Sequence, residues 1–235
     1  MVRATAESVA AKLAEAQTRM AKVERQVFDL QSVERVKQHL REAKLSSAFL
    51  KTAPDSYYSW SLQQRAYELW LLTYSVFYRS LISFLGCQVP HLCKSIIVEN
   101  TACTNAGIED PRNSRFYCVI LQYNSKLNAE QLMRFVRNLI PEAERPGRKH
   151  FNFQHAPGNM SEALTGFQHN GVAPFGMKAP IPVVVSGEVA ALEPSFIWLG
   201  GGAETVKLRI GVQQLVSGLS AYVADKNLTT LRDDL

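Results

Sequence analysis

The stretch "LTGFQHNGVAPFGMKAPIPVVV", Leu164–Val185, decides the fold of this chain. Its middle part, Asn170–Gly176, places two glycines and a proline among apolar residues, whereas most surface turns are polar. The run that follows, 181–186, has the β-branched composition of a buried strand. Glycine lets backbone approach a neighbour closely and proline fixes a bend. The stretch therefore predicts a stiff, apolar loop followed by a buried strand.

The residues on both sides of this loop predict a mixed α+β domain. Asn128 is predicted to cap a helix over 129–140, whose apolar residues share one face, and Asn159 a shorter helix over 160–166. Further strands are predicted at 46–51, 94–99, 116–123, 195–199 and 206–210. We therefore expect a compact mixed sheet with helices packed around it.

The N-terminal part has a different pattern. Apolar residues recur at alternating spacings of four and three from Val2 to Leu30, which predicts a long helix with a narrow heptad seam. Such a coiled-coil seam can pair with a second copy, bind a partner helix or fold back on its own domain. Ser32 is predicted to cap a second helix. We divide the chain into a helical arm, 1–43, and a domain, 44–235.

An aromatic apolar run extends from Trp60 to Gly86. A membrane span needs about 20 apolar residues. Here Arg65, Glu68 and Arg79 interrupt the run or stand close to it, so we interpret it as a helix packed against the domain core.

Composition sets broad limits on function. Apolar residues make up 46% of the chain and charged residues 20%, an ordinary globular mixture. The net charge of +5 suits an anionic partner such as RNA, although many basic proteins bind none. The four cysteines are too few and too irregularly spaced for a disulfide scaffold, and the first twenty residues lack a secretory core. We expect a cytoplasmic location and no membrane partner.

Motifs of common enzyme classes are missing from the sequence, including nucleotide-binding glycine loops, HExxH and GxSxG. Cys87, His91 and Cys93 lie close together but lack an obvious fourth zinc ligand, so packed thiols are the simpler interpretation. His150, His155 and His169 are interpreted as polar loop residues, with a position of one of them near a ligand as the alternative. No metal and no cofactor are predicted.

Lys94 begins an otherwise apolar predicted strand. A lysine at a strand mouth can present its ammonium to a phosphate as a point charge. On this feature alone, a surface lysine whose stem covers apolar residues is the favoured interpretation.

Four segments in this order resemble the YbaK/prolyl-tRNA-synthetase-associated domain family of aminoacyl-tRNA deacylases. They are "VPHLCKSIIVEN", "FYCVILQYNSKLNAEQLMRFV", "EALTGFQHNGVAPFGMKAPIPVVV" and "SFIWLGGGAETVKLRI". The resemblance covers roughly 87–226, with a weaker match back to residues 36–51. The arm before residue 32 has no counterpart in the minimal family domain. Against that domain, much of 54–80 looks like a helical insertion or an elongated helix.

The resemblance implies a site and a reaction. The family loop presents backbone groups to the carbonyl of the aminoacyl ester, the lysine matched by Lys94 holds the terminal nucleotide, and water is the nucleophile. Residue by residue it implies catalytic roles for Lys94, Gly171 and Pro174. It implies substrate contacts for Asn170, Val172, Ala173, Phe175, Gly176, Ser186, Leu199, Gly200, Gly201 and Lys207.

This sequence also departs from the family pattern. Asn170 stands where the first loop glycine is expected, and asparagine is the residue that best tolerates the same left-handed backbone. Ser186 replaces an acidic residue, and Leu199 replaces a small polar one. Lys207 is interpreted either as a pocket-edge residue or as an outward-facing strand residue. The basic run from Arg134 to Lys149 either contacts the acceptor stem or is a solvated surface.

Two hypotheses follow. The first is trans-editing: hydrolysis of a small amino acid, such as cysteine or alanine, from proline tRNA. The second is an inactive editing-domain adaptor that binds tRNA or a synthetase complex through its arm. The expected partners are the acceptor end of tRNA, an aminoacyl-tRNA synthetase or multi-synthetase complex, and a second copy of the chain.

Overall fold

The computed structural model describes residues 2–66, 85–105, 107–108 and 110–232. Its α-helices are α1 (Val2–Glu42), α2 (Leu62–Ala66), α3 (Ala129–Leu139), α4 (Gly158–Thr165), α5 (Gly187–Ala190) and α6 (Val212–Gly218). Its strands are β1 (Phe49–Thr52), β2 (Cys93–Asn100), β3 (Phe116–Gln122), β4 (Ser125–Leu127), β5 (Phe153–His155), β6 (Val183–Val185), β7 (Phe196–Gly200), β8 (Val206–Gly211), β9 (Tyr222–Val223) and β10 (Thr229–Leu231). The predicted α+β class is confirmed.

Within the described chain, the strands form two main sheets. One has the order β5-β2-β3-β6-β9, in which β2 pairs antiparallel with β3 and β5, whereas β3 and β9 pair parallel with β6. The other is the antiparallel sheet β1-β8-β7. The two sheets approach each other where Leu92 bridges Trp198. A further short pair joins β4 to β10.

Strand β3 is buried on both faces. Cys118 and Ile120 point toward the second sheet, while Tyr117 and Val119 point toward α3. Because a strand covered on both faces has no polar side, its sequence is almost continuously apolar rather than alternating. This explains why "FYCVILQ" is apolar at six of its seven positions, all buried.

The Asn170–Gly176 loop lies between the second sheet and α1. Ala173 and Phe175 are fully buried in the core between the two sheets, together with Val36 and Leu40 of α1. The apolar character of the loop therefore serves packing in the first place. The loop is part of the core on one side and borders a cavity on the other.

Helix α1 is continuous from Val2 to Glu42, so the prediction that Ser32 caps a second helix is wrong. Ser32 is completely buried, and its hydroxyl donates to the carbonyl of Gly166 at 3.4 Å. The Ser32 hydroxyl therefore makes a tertiary hydrogen bond and does not cap a helix. Residues 9–30 of the same helix carry the seam on an exposed surface, so within the described chain the seam does not fold back onto the domain.

Two cap predictions had opposite outcomes. The side chain of Asn128 accepts hydrogen bonds from the N–H groups of Glu130 and Gln131, which confirms it as the cap of α3. Asn159 lies inside α4, whose first residue is Gly158 after Pro157, so its predicted cap role is wrong. A proline before the helix already fixes the backbone that a capping side chain would select.

The predicted insertion is described in part. Residues 55–59 form a 3-10 helix and α2 follows, while the rest of the aromatic run lies mainly at 67–84, outside the described residues. In the ranges that the structure describes, no helix combines the length and apolar character needed to cross a bilayer.

Candidate functional site

A cleft of about 440 Å³ opens between the start of β2 and the Asn170–Gly176 loop. Lys94 lies on one wall, Asn170 and Val172 on another, and Gly200 at the end of β7. The remaining wall comes from the β5–α4 region and includes His155 and Ser161. The volume lies within the range of about 300–1,000 Å³ typical of small-molecule sites. Residues far apart in sequence thus meet at one cavity.

Lys94 is half-buried at the mouth of this cleft. Its register partner is Leu121 of β3, and its ammonium lies 5.9 Å from the centre of the Tyr123 ring. Burial, and next the nearby Arg232 guanidinium, lower the pKa of Lys94. An amine that is partly desolvated and faces a cavity binds an anionic group more strongly than one in water.

Asn170 adopts the left-handed backbone expected for it, with φ of 64°. Its side-chain amide donates to Glu204 at 3.0 Å, which directs that amide toward the β7–β8 connection. Its carbonyl accepts a 2.9 Å hydrogen bond from the Tyr58 hydroxyl. The side-chain NH2 and the backbone carbonyl of Asn170 are therefore held by the protein, while the residue lines the open cleft.

The loop N–H groups divide into two kinds. Gly171 donates to the carbonyl of Gln168 at 3.0 Å, and Gly176 donates to Nδ1 of His39 at 3.0 Å. The N–H groups of Val172 and Ala173 find no acceptor among the described residues. Val172 lines the cleft, so its N–H is a candidate donor to a bound group.

The remaining loop residues lie away from the cleft. Pro174 lines a separate cavity beside His39, while Ala173 and Phe175 are in the core. Gly176 has φ of 71°, and a Cβ there would lie 2.8 Å from the Arg35 backbone. These residues hold the loop in place, and they do not line the cavity that Lys94 faces.

Arg35 holds the backbone at Gly166, before the loop, and at Gly176, its last residue. Its guanidinium donates to the carbonyl of Gly166 at 2.5 Å and to that of Gly176 at 3.4 Å. His39 accepts from the Gly176 N–H and packs edge-on against the Phe175 ring at 5.3 Å. The last turns of α1 therefore clamp the loop.

The other predicted contact residues have structural positions. Ser186 is fully buried and caps α5, with its hydroxyl accepting from the Val189 N–H. Leu199 belongs to the core between the sheets, and Gly201 packs against Leu50. Gly200 alone of these borders the cleft, where an added Cβ would collide with the carbonyl oxygen of Val172.

Lys207 lies in a closed aromatic environment. It is only 3% exposed, and its ammonium lies 4.6 Å from the Tyr57 ring and 4.2 Å from the Tyr58 ring. It donates to the Tyr58 hydroxyl at 2.8 Å and to the Glu204 carbonyl at 2.9 Å. Burial, with Arg65 nearby, lowers the pKa of Lys207 to about 7. The outward-facing interpretation of Lys207 is therefore wrong.

Tyr58 joins this buried amine to the loop. Its hydroxyl accepts from Lys207 and donates to the Asn170 carbonyl, and Tyr123 approaches it at 3.4 Å. Arg65 covers the Tyr58 ring at 5.0 Å and donates to the Tyr58 carbonyl at 2.7 Å. Sequence reasoning missed this cluster because 54–66 reads as a turn and an insertion, with no signal that it reaches the loop.

Two histidines also face the cleft. His155 ends β5 and His169 precedes Asn170, and both are exposed residues lining the cavity with Lys94. The sequence placed them in one region but gave no spacing that predicted convergence. His150, by contrast, lies in the 3-10 helix before β5 and does not line the cavity.

The cysteine and histidine cluster has ordinary packing contacts. His91 is buried, its Nε2 lies 3.1 Å from the Pro194 carbonyl, and its ring stacks on Phe196 at 4.7 Å. Burial raises the pKa of the Cys87 thiol to about 12 and that of Cys93 further still. In the described ranges, no three His, Cys, Asp or Glu side chains converge as metal ligands.

Comparisons with solved structures identify the fold. A proposed trans-editing enzyme for prolyl tRNA synthetase superposes with a TM-score of 0.58 at 18% identity, covering 83% of this chain and 95% of that one. The hypothetical protein APE2540 gives the same TM-score and identity over 83% of this chain and 99% of its own. A scaffold from an epitope-grafting study matches at 0.57 and 18%, over 87% of this chain and 98% of that one. No family model and no curated protein matches the sequence. The chain therefore shares the fold of these three structures.

Proposed function

We propose that this protein hydrolyses the ester bond of a mischarged aminoacyl-tRNA. The observation that carries the proposal is the open cleft between Lys94 and the backbone of the Asn170–Gly176 loop. Its fold is that of a proposed trans-editing enzyme for prolyl tRNA synthetase, which supports the same reaction class. The cleft has a cation for an anionic nucleotide and a free N–H for a carbonyl, as ester hydrolysis requires.

Lys94 binds the terminal nucleotide of the tRNA. Its ammonium lines the cleft and is partly desolvated, so a phosphate or ribose oxygen placed there gains a charge-assisted hydrogen bond. His155 and His169 border the same cavity and supply further donors to the nucleotide. This arrangement orients the ester toward the loop on the opposite wall.

The loop stabilises the carbonyl oxygen of the ester. Val172 lines the cleft and its N–H has no acceptor in the described chain, so we assign that N–H to the oxyanion of the tetrahedral intermediate. Removing one such donor in other hydrolases costs about 10²–10³ in kcat. Gly171 permits the approach of the loop, and Pro174 holds its bend from the far side. Water, aided by a ribose hydroxyl of the substrate, is the nucleophile.

The substrate is a small amino acid, such as cysteine or alanine, on proline tRNA. The end of the cleft near the loop is bounded by Asn170, Val172 and Gly200. The neighbouring residues Ala173, Phe175 and Leu199 are packed in the core and hold these three lining residues in position. A hydrophobic pocket discriminates one methylene group by about 1–3 kcal/mol, so size alone separates small side chains from larger ones.

The acceptor stem contacts the basic segment that leads to β5. Arg145 and Lys149 precede His155 of the cleft, and Arg148 pairs with Glu130 at 2.6 Å on an exposed surface. The exposed arm provides a separate place for a synthetase or a multi-synthetase complex. A tethered deacylase has a raised effective concentration near newly charged tRNA.

A second candidate is an adaptor without hydrolytic activity. The exposed seam of α1 favours it, because a catalytic domain alone has no need of that arm. The open cleft favours the enzyme instead, since neither Asn170 nor Leu199 fills it.

The deciding experiment is deacylation of proline tRNA charged with cysteine, alanine, serine or proline. We expect rapid hydrolysis of one mischarged species and a loss of about 10- to 100-fold in kcat/KM for Lys94→Ala, the value of one charge-assisted hydrogen bond. The exposed Lys226→Ala variant is the matched control and retains activity. Binding of tRNA without hydrolysis of any species would favour the adaptor.

A further inference from the structure

The seam of α1 is an extended apolar surface that no residue of the described ranges covers. Its large residues from Val9 to Leu30 are between 47% and 71% exposed. They are Val9, Leu13, Met20, Val23, Val27 and Leu30. Their span is about 30 Å along the helix, well beyond the scattered apolar residues of an ordinary surface.

The seam and the domain contact lie on different sides of α1. Val27 and Leu30 end the seam, while Val36 and Leu40 enter the domain core. At 100° per residue the two pairs are roughly 130° apart around the helix axis. A helix packed on the seam would therefore leave the contacts to the loop and the core intact.

Charges beside the seam distinguish its possible partners. With Leu13, Met20 and Val27 at the a positions, Arg19 occupies a g position and Glu24 the following e position. In a parallel, in-register pair, each Arg19 faces the Glu24 of the other copy. Neither side chain has an ion-pair partner in the described chain, so both are available.

The other flanking positions fit the same arrangement. Lys12 would face Gln17 and Gln26 would face Gln31, so no like charges oppose each other. In an antiparallel pair, g positions face g positions, and Lys12 and Arg19 would meet no acid. The charge pattern thus favours a parallel pair formed with a second copy of this chain.

We propose that α1 forms a parallel, in-register two-stranded coiled coil with a second copy of this chain. The apolar a and d residues supply the association, and the reciprocal Arg19–Glu24 pairs set its direction. Because Ala16 thins the seam, the dimer dissociates on dilution rather than being permanent. The proposal is independent of the editing reaction.

Disulfide trapping tests both association and direction. Val9→Cys and Leu30→Cys each place a thiol at a d position near one end of the seam, and each is expected to cross-link to itself under mild oxidation. Thr18→Cys, on the opposite face, is the matched control. Wild type measures the background from Cys103, which is half-buried, and from the three buried thiols.

A mixture of the Val9→Cys and Leu30→Cys proteins separates the two orientations. A cross-link between the two variants, without self-cross-links, would overturn the parallel arrangement. Sedimentation of the wild-type protein as a monomer at all concentrations, with no trapping above the Thr18→Cys level, would overturn dimerisation and leave a heterologous helix as the occupant.

Charge reversal gives an independent measurement. Arg19→Glu and Glu24→Arg each place like charges against each other in a homodimer. The dissociation constant of each variant's dimer is therefore expected to be several-fold larger than that of wild type. Mixing the two variants restores both pairs and is expected to recover association as a heterodimer. Equal association of wild type, single variants and mixture would contradict the assigned register.

Discussion

The Lys207 ammonium donates a 2.8 Å hydrogen bond to the Tyr58 hydroxyl. That hydroxyl in turn donates to the carbonyl of Asn170, the first residue of the cleft loop. A buried amine in the second sheet is thereby connected through one phenol to the proposed site. The geometry of the loop thus depends on residues that do not line the cleft.

Tyr58→Phe removes the hydroxyl that connects Lys207 to Asn170. It leaves the Asn170 carbonyl without its donor and Lys207 without one of its acceptors, so we expect a loss of about 1–3 kcal/mol in the free energy of unfolding. Urea denaturation measures it, with Tyr222→Phe as the control, since the Tyr222 hydroxyl makes no hydrogen bond among the described residues. Equal stability of the two variants would show that Tyr58 contributes packing alone.

Lys207 makes stability depend on pH. Its pKa is lowered from 10.5 to about 7 in the folded state, so between these values the unfolded chain binds more protons than the folded chain. Stability therefore rises with pH across this window, and the cost of the buried charge is complete below about pH 7. We expect wild type to gain free energy of unfolding relative to Lys207→Met between pH 7 and pH 8.5. A constant difference between the two proteins would contradict the lowered pKa.

Gly176 is a position where a side chain cannot be placed. Its φ of 71° disfavours other residues, and a Cβ would lie 2.8 Å from the backbone of Arg35. We expect Gly176→Ala to lower the free energy of unfolding by at least about 1–2 kcal/mol, the cost of left-handed backbone alone. Gly147→Ala is the control, because its Cβ would meet nothing within 4 Å. Similar unfolding midpoints for the two variants would contradict the close approach of loop and helix.

Two substitutions of Asn170 distinguish the cost of its left-handed backbone from the contribution of its side-chain hydrogen bond. Asn170→Gly loses only the amide hydrogen bond to Glu204, so we expect it to remain within about 1 kcal/mol of wild type. Asn170→Ala adds the left-handed penalty of about 1–2 kcal/mol and is expected to be clearly less stable. Thermal unfolding ranks the three proteins, and an alanine variant as stable as the glycine variant would exclude backbone strain at this position.

The strands and α3 were predictable because their patterns are local. The buried run Phe116–Gln122 has the composition of a strand covered on both faces, and Asn128 caps α3 through its own neighbours. Ser32 and Asn159 have the same residue type as a cap but different surroundings. Tertiary contact or a preceding proline decided those two positions, and neither effect follows from capping preference.

The site was predictable only in outline. Lys94, Asn170, Val172 and Gly200 meet at one cleft, as the resemblance led us to expect of its residues. The sequence did not show that Phe175 packs inward, that Arg35 and His39 clamp the loop, or that Tyr58 reaches it. These contacts join segments more than 100 positions apart, and no periodicity within one segment encodes them.

Helix α1 contains no glycine and no proline between Val2 and Glu42, so it has no built-in hinge. Its far half presents the seam, and its near half holds Gly166 and Gly176 through Arg35 and His39. A helix of this length is about 60 Å long, and its C-terminal turns contact the loop. Mechanical force applied to the far end, by a partner or by an optical trap, would act on the cleft without touching it.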